Sequence, residues 1–259
     1  MEIGVFLMLI IAVVHAQRSL EENEPSLPRH MNRMGRDLAD VPPGDYHVVS
    51  LNVAYNKISQ VKAYDFYLKM YRNLTTIELG HNRLSSVDTD GFRELLQLTS
   101  VDLSNNNITV LHINLFRHNP KLQRLDASSN MITTDPEKPL LRSPSLEVLI
   151  LGKNRISNLF DITFARTPNL RQLLLDDNDI DYMSRNCFSY LNNLQYISLA
   201  RTGIHTVSES MFRKLPRLVD LTGTPLSQKF IPSLTKVRTT QLARLIHVER
   251  YSSEEDYET

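Results

Sequence analysis

Apolar residues return along this chain in a fixed phrase. Around Asn106 it reads Leu98, Val101, Leu103, Asn106, Ile108; around Asn154 it reads Leu146, Leu149, Leu151, Asn154, Ile156. The asparagine recurs at Asn56, Asn82, Asn106, Asn130, Asn154 and Asn178, first after about 26 residues and then after about 24. The alternation places residues such as Val101 and Leu103 on one face of a short strand. A single copy cannot bury that face, whereas stacked copies bury it against one another in a continuous core. The asparagine falls where the chain leaves the strand, and an inward amide there can satisfy backbone N–H and C=O groups that the turn leaves unpaired. A second column supports the register. Phe66, Phe92, Phe116, Phe164, Phe188 and Phe212 share one position, with Leu140 in the missing place, which predicts a stacked aromatic spine away from the strands.

The phrase L-x-x-L-x-L-x-x-N-x-L resembles the leucine-rich repeat, and the phenylalanine column resembles the typical extracellular class of that family. Eight copies begin near Val48, Leu74, Leu98, Leu122, Leu146, Leu170, Leu194 and Pro216, and the resemblance covers roughly Leu38 to Leu226. It implies an α/β-type repeat solenoid, a right-handed horseshoe with a parallel sheet on the concave side and short convex turns. Irregularity is expected in the fourth copy, where Ala127 replaces a core leucine and Pro136 and Pro139 interrupt the return segment. In the last two copies Thr202 and Thr224 replace the asparagine, and a hydroxyl offers fewer bonds than an amide.

The flanks set the expected organisation. Residues 1–16 hold an apolar run ending in Val14-His15-Ala16, which reads as a signal peptide, although Glu2 is an unusual acidic start. Residues 17–45 form a charged segment and cap, 46–228 the repeat domain, 229–250 a C-terminal cap expected to be partly helical, and 251–259 an acidic tail. Leu38 to Pro43 resembles the entry strand of family N-terminal caps, but the paired cysteines usual in secreted caps are missing, because Cys187 is the only cysteine. Its neighbours in the repeat column include Asp65, which leaves two readings: an accessible thiol able to link two chains, or a partly buried free thiol. A secreted chain gives meaning to the sequons at Asn73 and Asn107, expected as glycosylation sites, and to Tyr257, with Tyr251 behind it, as a candidate for sulfation among acidic residues.

Composition narrows the function. The 259 residues are 41% hydrophobic with a formal net charge of zero, which argues against nucleic acid as a bulk electrostatic partner. No second apolar run suggests a membrane span. No nucleophile elbow, phosphate loop or zinc-protease motif is present. The run Asp176 to Asp181 lacks the glycine and the distant glutamate of a calcium loop. No enzyme activity, metal or cofactor is expected.

The register instead points to the concave face. One outward column runs Asn52, Glu78, Asp102, Asp126, Ile150, Leu174, Ser198, Asp220. Glu78, Asp102 and Asp126 should stack as like charges, awaiting a basic partner or cation or simply forming a solvated face. Val148, Ile150, Leu174 and Tyr196 should form an apolar patch rimmed by Lys153, Asp177 and Arg201, as a protein interface does. The same patch could be covered by the chain's own tail. The expected function is a secreted recognition or adhesion module that binds an extracellular or cell-surface protein. The alternatives are self-association in a structural role, including a homodimer, and glycan binding; the latter is disfavoured by the absence of tryptophan and by Tyr55 and Tyr196 being the only concave aromatics.

Overall fold

A computed structural model of the chain describes residues 28–230 and 236–238. The expected signal peptide, the acidic tail with Tyr251 and Tyr257, and most of the C-terminal cap lie outside the described residues. Strands β1 (His30–Asn32), β2 (Ser50–Asn52), β3 (Gln60–Val61), β4 (Thr76–Glu78), β5 (Ser86–Val87), β6 (Ser100–Asp102), β7 (Arg124–Asp126) and β8 (Val148–Ile150) come first. They are followed by β9 (Asn158–Leu159), β10 (Gln172–Leu174), β11 (Tyr182–Met183), β12 (Tyr196–Ser198), β13 (Leu218–Asp220) and β14 (Lys236–Arg238). Two short helices accompany them, α1 (Asp65–Leu68) and α2 (Pro225–Phe230).

One ten-stranded sheet runs β1-β2-β4-β6-β7-β8-β10-β12-β13-β14. From β1 to β13 every pairing is parallel and in register by repeat position, so Leu51, Ile77, Val101, Leu125, Leu149, Leu173 and Ile197 form one inward row. All seven are buried in a single core cluster. The phenylalanines stack behind them, with ring centroids 5.6 and 5.4 Å apart from Phe66 through Phe92 to Phe116 and 6.1 and 5.1 Å apart from Phe164 through Phe188 to Phe212. Neighbouring strands sit about 4.8 Å apart. The wider aromatic side therefore bends the stack toward the sheet, which lines the concave face.

The asparagine ladder performs the expected work. Asn106 Nδ2 donates to the carbonyls of Leu103 and Ser104 in its own turn and of Leu79 in the previous one, each at 3.0 Å, while its Oδ1 accepts from Leu84 N–H at 2.9 Å. Asn82, Asn130, Asn154 and Asn178 repeat this four-bond pattern. Each amide thus ties two turns together. Thr202 and Thr224 donate only to Leu199 O and Leu221 O in their own turns.

Three features depart from a uniform repeat. The entry strand is His30–Asn32 rather than the segment Leu38 to Pro43, and it pairs with β2. It belongs to a shortened turn in which Met31 fills the inward row, Gly35 takes the left-handed position (φ 64°) and Leu38 O accepts Lys57 N–H. Arg36 stands where the asparagine would be, 20 residues before Asn56, and gives its own N–H to the Asn56 amide oxygen. The described part of the expected C-terminal cover, residues 229–250, holds the end of α2 (Pro225–Phe230) and a strand. β14 lies antiparallel on β13 and occupies hydrogen-bonding groups that an open edge would leave exposed; the helix, α2, precedes it. Finally, the side ladders β3–β5 and β9–β11 are separated by the turns around Val110 and Thr134, which form no strand. There Pro136, Pro139 and Leu140 join Val110 and Ile113 around a cleft of about 650 Å³. Proline supplies no N–H to a ladder, and the phenylalanine spine is broken at the same copy.

Candidate functional site

Strand register brings the predicted apolar residues together. Ile150 pairs directly with Leu174, and Gln172 lies between Val148 and Tyr196. All four apolar side chains are half-buried while the inward residues beside them are sealed. Val148 stands two residues before Ile150 on the same outward face, and Tyr196 lies diagonally from Leu174. Burial, followed by the nearby charge of Asp220, raises the Tyr196 phenol above its usual range. The next outward residue of the row, Ser198, is buried, so the apolar surface ends at Leu174 along that line.

The rim residues occupy a special backbone position. Tyr55, His81, Asn105, Ser129, Lys153, Asp177 and Arg201, each just before the ladder residue, all adopt positive φ between 52° and 56°. Such a conformation is costly for most residues, and in the asparagine copies the ladder amide braces it by bonding the carbonyls of the two residues before it, as Asn106 does with Leu103 and Ser104. These side chains consequently project from one line of tight turns at the edge of the concave face. Tyr55 stacks on His81 with ring centroids 4.0 Å apart. Arg201 grips Asp177 with Nε–Oδ1 2.5 Å and Nη2–Oδ2 2.6 Å, and its Nη2 reaches Asp176 Oδ2 at 3.5 Å. This hydrogen bonding holds the Asp177 carboxyl below the usual range, whereas burial pushes its neighbour Asp176 up. Asp177 and Arg201 thus satisfy each other rather than standing as two free rim charges. Asp176 packs over Gly152, whose added Cβ would meet both carboxylate oxygens at 3.1 Å.

The acidic column is in register as expected, Glu78 beside Asp102 beside Asp126. Each carboxylate also has a local task. Asp102 Oδ1 accepts Ser104 N–H at 2.7 Å, Asp126 Oδ1 accepts Ser128 N–H at 3.0 Å, and Glu78 accepts from the Asn52 amide. The acidic residues at 102 and 126 therefore close the turn after the strand, a role Asp220 repeats toward Thr222.

Cys187 is 1% exposed, and burial pushes its thiol up to about 12. This corrects the reading of an accessible cysteine that links two chains. Asp65 is tolerated in the same column because Lys69 Nζ lies 2.6 Å from its carboxylate, not because the column is open. Asn73 and Asn107 are both exposed. Asn73 Nδ2 donates to Tyr46 O and its sequon partner Thr75 to Val49 O, while Asn107 and Thr109 project beside the ladder with no such side-chain bond. The sequence reading did not anticipate a buried polar column on the convex side formed by Asn119, Ser143 and Thr167. Asn119 Oδ1 and Ser143 Oγ find no hydrogen-bond partner among the described residues. The replacement of leucine by these polar residues at one repeat position was the available signal.

A parallel-sheet solenoid with a stacked asparagine ladder and an apolar group on its concave sheet defines a repeat-type interaction scaffold. The leucine rich repeat family model matches residues 72–132, 144–204 and 168–226, more than half of the chain, and the chain belongs to that family. It is 41% identical to opticin of Homo sapiens over 59 residues, which is 23% of this chain and 17% of opticin. Among solved structures it is similar to the leucine-rich repeat domain of APL1B, with TM-score 0.59 and 19% identity, covering 84% of this chain and 59% of that one. It is also similar to the TLR13–ssRNA13 complex, with TM-score 0.52 and 24% identity, covering 68% of this chain and 29% of that one. The two structural likenesses bear on the fold. The chain spans less than two thirds of the length of each of these proteins.

Proposed function

We propose that the chain is a secreted, non-enzymatic recognition or adhesion module whose concave patch binds an extracellular or cell-surface protein. The observation that carries this reading is the Val148, Ile150, Leu174 and Tyr196 group: four half-buried apolar side chains on adjoining strands, with half-buried Leu218 beside Tyr196 at its end. Such a centre, bordered by the Lys153, Asp177 and Arg201 turns, has the make-up of a protein interface, and solenoids present their concave surfaces in this way. Family membership supports the general role, since leucine-rich repeat domains typically serve as protein-interaction modules. The similarity to opticin, together with the apolar run before Ala16, supports secretion, with glycan expected at Asn107 and Asn73.

The test is the double substitution Ile150→Asp with Leu174→Asp. Both side chains point outward, so the variant should fold and be secreted like the wild type while losing its partner. A partner that stays bound with unchanged affinity removes the patch assignment. Self-association remains the second reading, because β1 has a strand neighbour on one side only among the described residues and open edges pair readily. Light scattering of the purified chain separates the two: a monomer supports ligand binding, a dimer self-association.

A further inference from the structure

The apolar patch does not end in neutral surface. Its central row continues without a break from Leu174 and Ile150 into Asp126, Asp102 and Glu78, each paired in register with the next. We propose that the occupant of the concave face is an extended segment of a partner protein with apolar side chains at one end and alternate Lys or Arg side chains at the other. The apolar end would lie on Ile150 and Leu174 and the basic end over the three carboxylates. This inference rests on the concave-face reading above and specifies the chemistry of the ligand.

Charge complementarity selects that occupant. Glu78 and Asp102 make no ion pair among the described residues, and Asp126 has only Arg124, at 3.8 Å. Like charges on adjoining strands raise the energy of the free face, so a partner that neutralises them gains more there than elsewhere on a chain of zero formal net charge. The carboxylates line a depression of about 180 Å³ with Thr76, Ser100 and Arg124, large enough to admit side-chain ends. Gly80 leaves room for the Asp102 carboxylate, since a Cβ at that position would lie 3.0 Å from Asp102 Oδ2. A single divalent ion does not fit the arrangement, because no three acidic or histidine groups among the described residues come close enough to hold one. Carboxylates carried on successive strands suit separate cationic side chains instead.

The dimensions also match. From Glu78 to Leu174 is four strand steps, about 19 Å at about 4.8 Å each. An extended chain rises about 3.3 Å per residue, so roughly six residues laid across the strands span the row, and the three side chains that face the sheet, about 6.6 Å apart, are shared among its five positions. The carboxylates are already oriented for such a ligand. The turn N–H groups fix Asp102 and Asp126, and the Asn52 amide holds Glu78, so little side-chain freedom is lost on binding.

Three synthetic peptides test this against the purified full chain by fluorescence anisotropy: alternate lysines followed by alternate leucines, the same with glutamate for lysine, and the same with serine for leucine. The lysine–leucine peptide should bind, the glutamate version at least about tenfold more weakly, and rising salt should weaken the first. The triple variant Glu78→Gln, Asp102→Asn, Asp126→Asn keeps the turn-closing acceptors and should lose about tenfold for the lysine–leucine peptide. Equal binding of the lysine and glutamate versions, an unaffected triple variant, or no binding of any peptide overturns the proposed ligand chemistry. In the first two cases, loss of binding in Ile150→Asp with Leu174→Asp leaves the patch reading standing. If that double variant binds every peptide as the wild type does, the patch reading falls as well.

Discussion

At the scale of single residues, stability is concentrated in one amide per turn. Asn106→Ala removes four hydrogen bonds and leaves the buried Leu84 N–H without its acceptor, while the carbonyls of Leu79, Leu103 and Ser104 keep one donor each, for a cost of about 3 kcal/mol; chemical denaturation of the variant measures it. The converse change is informative. Thr202 bonds only its own turn, and the N–H of buried Ile180, the group a ladder amide would serve, has no hydrogen-bond partner among the described residues. Thr202→Asn should therefore stabilise the chain by about 1 kcal/mol, visible as a higher Tm. Cys187 gives a pH prediction. Its thiol is raised from 9.0 to about 12 by burial, so the folded state favours the neutral form. The resulting stabilisation is complete below pH 9 and declines as pH rises toward 12, where the unfolded chain gains by ionising. Folded protein should resist thiol alkylation at pH 8 and react once denatured; rapid labelling of the folded chain would show the site to be open.

At the scale of elements, the periodic part of the architecture was legible and the boundary elements were not. The inward rows and the phenylalanine spine follow from spacing alone, because each repeat buries the same positions against the next. The entry strand at His30–Asn32 was hidden because its turn is shortened, with Arg36 in the asparagine place and only Met31 marking the inward row. Cys187 was left between an accessible and a buried reading for a similar reason: the column contains Asp65, whose partner Lys69 neutralises it within α1, and a sequence column shows residue types without their partners. The break between the side ladders was signalled by Pro136 and Pro139, whereas the cleft beside it depends on how far the two turns splay. In the concave site, outward columns gave the apolar patch and acidic row correctly as neighbours. Position alone did not reveal that Asp177 and Arg201 are mutually engaged or that Asp102 and Asp126 also close turns.

At the scale of the whole molecule, a neutral chain presents an uneven concave sheet, acidic from β4 to β7 and apolar from β8 to β12. The core supplies rigidity and the outward columns supply selectivity, so substitutions confined to the outward face should change binding with little effect on folding. The most direct test compares purified wild type and the Ile150→Asp, Leu174→Asp variant, matched for secretion, monomeric size and Tm, for binding to an array of secreted and cell-surface proteins. The account predicts a partner that binds the wild type and is lost by the variant. A partner bound equally by both would contradict the assignment of function to this face.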